Sequence, residues 1–243
     1  MTAAALNENR LREQDLLYFG RVLAGQCHEL VNALNIAHEL CGLHEDILPR
    51  AREGHTGTVE KLGSLARRIQ TQVARCHAIV RVLSRFAHSV DEPRAACDTR
   101  EILERAVFLA ARQSRLRQAE LQAVLPDGDV RFVDCNPFRL QQAIHAGIEQ
   151  FLEGITEGRH ITVSLTLDLA GAVVTIESAD PLPCKDVAAG RLTEVTALVQ
   201  TAGGEVRETP EGGGRLVFFI PHGRRDTTSP ASDTLAPGAG GGS

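Results

Sequence analysis

Two proline-free stretches, each with apolar residues at every third or fourth position, dominate the N-terminal part of this 243-residue chain. Across 11–48 the apolar positions are Leu16, Phe19, Leu23, Leu30, Leu34, Ala37, Leu40 and Ile47, with no proline before Pro49. That spacing predicts one long amphipathic helix. Segment 49–57 then supplies Pro49, Gly54 and Gly57, the punctuation of a helix–helix turn. A second helix is predicted over 58–90, with a stripe of Leu62, Leu65, Ile69, Val73, Cys76, Val80, Leu83, Ala87 and Val90 close to a heptad seam. Each helix spans on the order of 50 Å at ~1.5 Å per residue, and a lone hairpin leaves one flank of each stripe wet. Pairing two hairpins into a four-helix bundle covers both flanks, so a homodimer is expected.

The pattern changes after Pro93. Asp98 or Thr99 can cap a helix starting near Arg100. Strand-like runs at 120–125 and 130–134 flank a Pro-Asp-Gly turn, and a helix with Leu140, Ile144, Ile148 and Leu152 on one face covers 137–155. Alternating runs at 160–169 and 172–178 predict a β-hairpin. A helix over 187–202 ends at Gly203 and Gly204, and strands at 205–208 and 215–220 flank a glycine-rich turn. This is an α+β class chain. Residues 1–10 are read as a flexible N-terminus, 11–92 as the dimerising hairpin, 98–221 as an α/β sandwich, and the Pro/Gly-rich 222–243 as a disordered tail.

Composition narrows the function. The net charge of −5, without a dense basic run, argues against nucleic-acid binding. No apolar run reaches the roughly 18–20 residues of a membrane span. The six cysteines are scattered without a CxxC pair, which suits reduced thiols in a cytoplasmic protein better than a zinc knuckle or a disulfide framework.

The sharpest local signal is His28-Glu29-Leu30-Val31-Asn32-Ala33-Leu34 in the first long helix. An imidazole, with a reference pKa of about 6.5, offers one ring nitrogen with a free lone pair near neutrality. A neighbouring carboxylate can hydrogen-bond the other nitrogen and so fix the tautomer, the role expected of Glu29. Asn32 lies one turn along on the same face and can position a phosphoryl group. His-Glu-x-x-Asn falls one ligand short of the His-Glu-x-x-His zinc motif, so no metal site is expected. A lone His-Glu pair on a helix is also common without any function. His38-Glu39-Leu40 repeats the triplet ten residues later, rotated by about 280°, and lacks the asparagine; it is read as structural.

His-Glu-Leu-x-Asn-x-Leu near the start of a long helix, followed by a turn, a second heptad helix and an α/β domain, resembles the two-component histidine kinase family. The family's box ordinarily has proline where this chain has Ala33. The resemblance also extends to 67–92, similar to the second dimerisation helix of sensorless members, and spans about 11–221 in all. It implies a dimeric hairpin bundle followed by a domain of the histidine-kinase ATPase type. The boxes of that ATPase half are altered. The asparagine that helps hold magnesium is matched by Gln150, the adenine-recognising aspartate by Ser178, with Asp180 and Leu182 where glycine is expected, and the Gly-x-Gly-Leu run by a segment keeping only Gly190. Added side chains obstruct a backbone that must approach the nucleotide. The implied domain thus has its nucleotide site dismantled, which puts ATP in question as a cofactor.

The resemblance therefore implies phosphotransfer between His28 and the aspartate of a response-regulator receiver domain, with magnesium supplied by the receiver. Two other readings stay open at this level: an ATP-dependent histidine kinase with atypical boxes, and a non-catalytic dimeric scaffold that binds a response regulator.

Overall fold

The computed structural model describes residues 3–126, 132–153, 160–167, 169–178, 185–208 and 214–222, with side chains left undescribed at 3–11 and 185–191. Helices α1 (Ala3–Arg52) and α2 (Thr58–His88) form the long hairpin. The first helix is longer than its apolar stripe. It takes in 3–10, expected as a flexible start, and continues past Pro49 for one more turn. A proline near a helix end forfeits one backbone hydrogen bond without stopping the remaining ones, and Glu53 N still donates to Pro49 O at 3.1 Å. The reversal that follows uses Gly54 and Gly57 in the left-handed region, at φ 81° and 79°.

The second half begins with a strand that the sequence pattern does not reveal, β1 (Ala95–Asp98), which pairs antiparallel with β3 (Phe132–Cys135) in a small sheet of its own. Asp98 ends β1 and caps α3 (Thr99–Leu116), its carboxylate accepting from Arg100 N at 2.8 Å. Between these elements lies β2 (Glu120–Val124), and after β3 comes α4 (Pro137–Glu153), where Asn136 Oδ1 accepts from Arg139 N at 2.9 Å. The β-hairpin is β4 (His160–Leu167) and β5 (Gly171–Ser178), followed by α5 (Lys185–Ala202), β6 (Glu205–Glu208) and β7 (Arg215–Pro221).

The larger sheet runs β2-β4-β5-β7-β6, parallel only between β2 and β4. Alternation puts Ile161, Val163 and Leu165, Val174 and Ile176, and Leu216, Phe218 and Ile220 on one face. Leu103 of α3, Ile144, Ile148 and Phe151 of α4, and Val195 and Val199 of α5 cover that face in one core. Helix α4 sits close to the sheet because Gly147 has no side chain: a Cβ there would lie 2.6 Å from Ile176 Cδ1. The fold is thus a long helical hairpin followed by an α/β layer with a mixed sheet. Of the expected tail at 222–243, His222 is described, its N–H donating to Ala170 O at 2.9 Å, and 223–243 lie outside the described residues.

A second, smaller core joins the two parts. Tyr18 and Val22 of α1, Phe86 of α2, Leu109 of α3 and Phe138 of α4 are buried together. Tyr18 meets Phe86 edge-on at 5.7 Å, and Phe19 stacks on Phe86 at 5.2 Å. Arg139 Nη2 donates to Asp15 Oδ2 at 2.6 Å across the same junction.

Candidate functional site

The inward face of α1 is set by Tyr18, Val22, Gln26, Ala33 and Leu40, all buried. Gln26 Nε2 donates to Leu109 O of α3 at 3.5 Å. Residue 29 falls on that same stripe, seven after Val22 and four before Ala33, so the side chain of Glu29 enters the crevice between the hairpin and α3. His28, about 100° further round the helix, stands exposed, and so does Asn32 one turn on. Structure and sequence agree that this imidazole and this amide share an open face. His38 is exposed as well.

Glu29 does something other than the role its position beside His28 suggests. Its carboxylate, on a side chain only 12% exposed, receives Arg75 of α2 and Arg115 and Arg112 of α3. Arg115 Nη2 lies 2.7 Å from Oε2 and Arg112 Nε 3.7 Å from Oε1, while Arg75 Nη2 also donates to Oε2. Both oxygens are committed to guanidinium groups. Among the described residues, His28 makes no hydrogen bond or ion pair, so Glu29 does not orient its ring. The expected partnership is replaced by a clamp that ties α1 to α2 and α3. Sequence reasoning missed the three arginines because they lie 46 or more residues away. The available signal was the carboxylate's own place on a buried stripe, which demands cationic partners.

Helix α4 places a second set of polar groups at the junction. His145 is buried beside Tyr18, their ring centroids 5.4 Å apart, with Nδ1 3.8 Å from Glu149 Oε1. Gln113 Nε2 donates to Glu149 Oε1 at 3.0 Å, and Arg21 Nη1 lies 3.9 Å from Oε2. Burial pushes the His145 imidazole below its ordinary pKa, Glu149 opposes that shift and Arg21 adds to it. Above about pH 6.5 neither folded nor unfolded chain protonates this ring. Below that value the unfolded chain gains a proton the folded one resists, so stability declines as pH falls, until the folded ring titrates too. The thermal midpoint should therefore drop between about pH 7 and pH 5, and His145→Gln should flatten that dependence.

Of the residues matched to nucleotide boxes, three fall among the described ones. Gln150 is 5% exposed within α4. Ser178 is buried at the end of β5, its N–H donating to Gly214 O at 3.1 Å and its Oγ without a hydrogen-bond partner among the described residues. Gly190 lies in the second turn of α5, past the helix start where phosphates would bind, and Asp180 falls outside the described residues. A cleft of about 490 Å³ between the end of α2 and the start of α3 is lined by Arg85, Cys97, Glu101 and Arg105, and by neither Gln150 nor Ser178.

No family model matches the chain, and no curated protein matches it. Solved structures that it resembles include histidine kinases. It is similar to histidine kinase AdeS of Acinetobacter baumannii, at 15% identity over 80% of this chain and 97% of that one, TM-score 0.42. It is similar to histidine kinase ThkA, solved in complex with the response regulator TrrA, at 16% identity over 92% of this chain and 68% of that one, TM-score 0.45. The ATP-binding domain of PrrB from Mycobacterium tuberculosis matches at 22% identity over 54% of this chain and 99% of that one, TM-score 0.42. At such identities and scores the assignment of the site rests on the chain's own residues.

Proposed function

We propose that the chain is a dimeric histidine phosphotransfer protein that exchanges a phosphoryl group between His28 and the aspartate of a response-regulator receiver domain. The observation that carries this reading is the open imidazole of His28, with Asn32 one turn away, on a helix whose inward face packs through Tyr18, Val22, Ala33 and Leu40. In the forward step the lone pair of one ring nitrogen forms the N–P bond. The P–O bond to the receiver's acyl oxygen breaks, and its electron pair stays on the departing carboxylate. The other ring nitrogen keeps its proton. Asn32 supplies an amide that positions the phosphoryl oxygens, and the receiver supplies magnesium. No helix among the described residues is long and apolar enough to cross a membrane.

The dimer is part of the same proposal. Leu16, Leu23 and Leu34 on α1, and Val73 and Val80 on α2, remain exposed at helical spacing, Leu16 to 74% and Val80 to 52%. A row of large apolar side chains along a hairpin is a seam that a second copy can cover. At about 100° per residue, the Leu16, Leu23 and Leu34 row lies on the order of 130° around α1 from His28. A partner on that row leaves the imidazole open.

The test is phosphate transfer from a panel of purified, phosphorylated receivers, and separately from ATP. Label arriving on the chain from a receiver supports phosphotransfer. Label arriving from ATP alone makes it a kinase. If no receiver loses or gives up label faster in its presence, only the scaffold reading survives.

A further inference from the structure

The three arginines around Glu29 carry more charge than that carboxylate needs. Three guanidinium groups against one carboxylate leave a surplus of two positive charges, and among the described residues Arg75, Arg112 and Arg115 have no other acidic partner. The surplus stands out in a chain whose net charge is −5. It also stands next to His28, and a phosphoryl group on a side chain adds about two negative charges and three strong acceptor oxygens. The sums match: with His28 phosphorylated, the cluster becomes neutral.

We infer that Arg75, Arg112 and Arg115 form a receiving site for the phosphoryl group on His28 of the same chain, in which that group competes with Glu29 for the guanidinium groups. The inference rests on His28 being the phosphorylated residue. The geometry allows the exchange. Arg115 is 57% exposed and Arg75 40% exposed at the side chain, so both have room to swing. Glu29 and His28 are successive residues on α1, about 100° apart, so the two anions address the same cations from adjacent sides. Guanidinium groups suit this task because their planar N–H forks bond phosphoryl and carboxylate oxygens alike. Glu29 thereby becomes a placeholder. It keeps the arginines ordered while His28 is bare, and its pull must be overcome when the phosphoryl group arrives.

The test uses phosphoramidate, a small donor that phosphorylates exposed histidines without any protein partner. Phosphorylation of His28 and His38 is located by mass spectrometry, and the two phosphoryl resonances are titrated by phosphorus NMR. His38, exposed and with no ion pair among the described residues, is the internal control. The His28 phosphoryl group should titrate about one pH unit lower than that on His38, a tenfold preference for the dianion. Arg112→Gln combined with Arg115→Gln should erase that difference, Arg115→Lys alone should retain part of it, and Glu29→Gln should enlarge it. A purely structural role for the arginines predicts no change in the titration while the fold persists. Equal titration of both groups in the wild-type chain, or a difference untouched by the double variant, overturns the inference. So does failure of phosphoramidate to modify His28. If the arginine dependence holds but no receiver exchanges phosphate, the inference stands and the phosphotransfer assignment falls. The opposite result, transfer without arginine dependence, overturns the inference and leaves phosphotransfer standing.

Discussion

His28→Gln should reduce phosphoryl transfer from a competent receiver to background, while the chain keeps its helical content and the solution mass of the wild type. Glutamine preserves size and hydrogen bonding but lacks a nitrogen lone pair able to bond phosphorus. Because the His28 side chain is exposed and holds no partner among the described residues, its loss removes no packing. Substitutions at such positions usually change stability by no more than about 0.5 kcal/mol. His38→Gln is the matched control, since it also removes an exposed imidazole from α1 and should leave transfer intact. Asn32→Ala should fall between, slowing transfer without abolishing it. Gel-resolved label on each variant, with scattering mass measured in parallel, separates chemistry from assembly. Label persisting on His28→Gln at the wild-type rate would remove the site assignment.

The largest effect on stability is expected at Phe86. Its ring is 1% exposed and touches Tyr18, Phe19 and Phe138, bringing together α1, α2 and α4. Phe86→Ala should cost about 3–5 kcal/mol, from lost transfer energy and the cavity left behind. A chain of ordinary stability, about 5–15 kcal/mol, would lose a large share of it. Urea unfolding followed by circular dichroism should show a much lower midpoint. Phe132→Ala, at a ring 59% exposed on β3, should barely move it. If the two variants unfold alike, the aromatic junction does not hold the hairpin to the α/β layer.

The hairpin was legible because its apolar residues repeat over many turns, and both helices appear where the periodicity places them. The β4–β5 pair and α3 were legible for local reasons, strict alternation in one case and the Asp98 cap in the other. Strand β1 was not, since four residues carry too little alternation to outweigh the boundary marked by Pro93. At the site, His28 and Asn32 could be placed on one face by counting turns. The fate of Glu29 could not, because it depends on arginines brought close only by folding. Counting from the buried side would have shown the carboxylate pointing inward, but not which cations meet it. Of the residues matched to nucleotide boxes, Gln150 is buried, Gly190 lies in the second turn of α5, and Asp180 lies outside the described residues.

Ala33 has a mechanical consequence. It is fully buried, and α1 continues through it without interruption. Proline at this position would remove the backbone N–H that bonds the carbonyl of residue 29 and would bend the axis there. With alanine the helix is unbroken through the turn that carries His28, a rod without a joint there. Torque or bending applied at the N-terminal end of α1 therefore travels past His28 with no local pivot to absorb it, and the imidazole keeps one fixed bearing toward any docking surface.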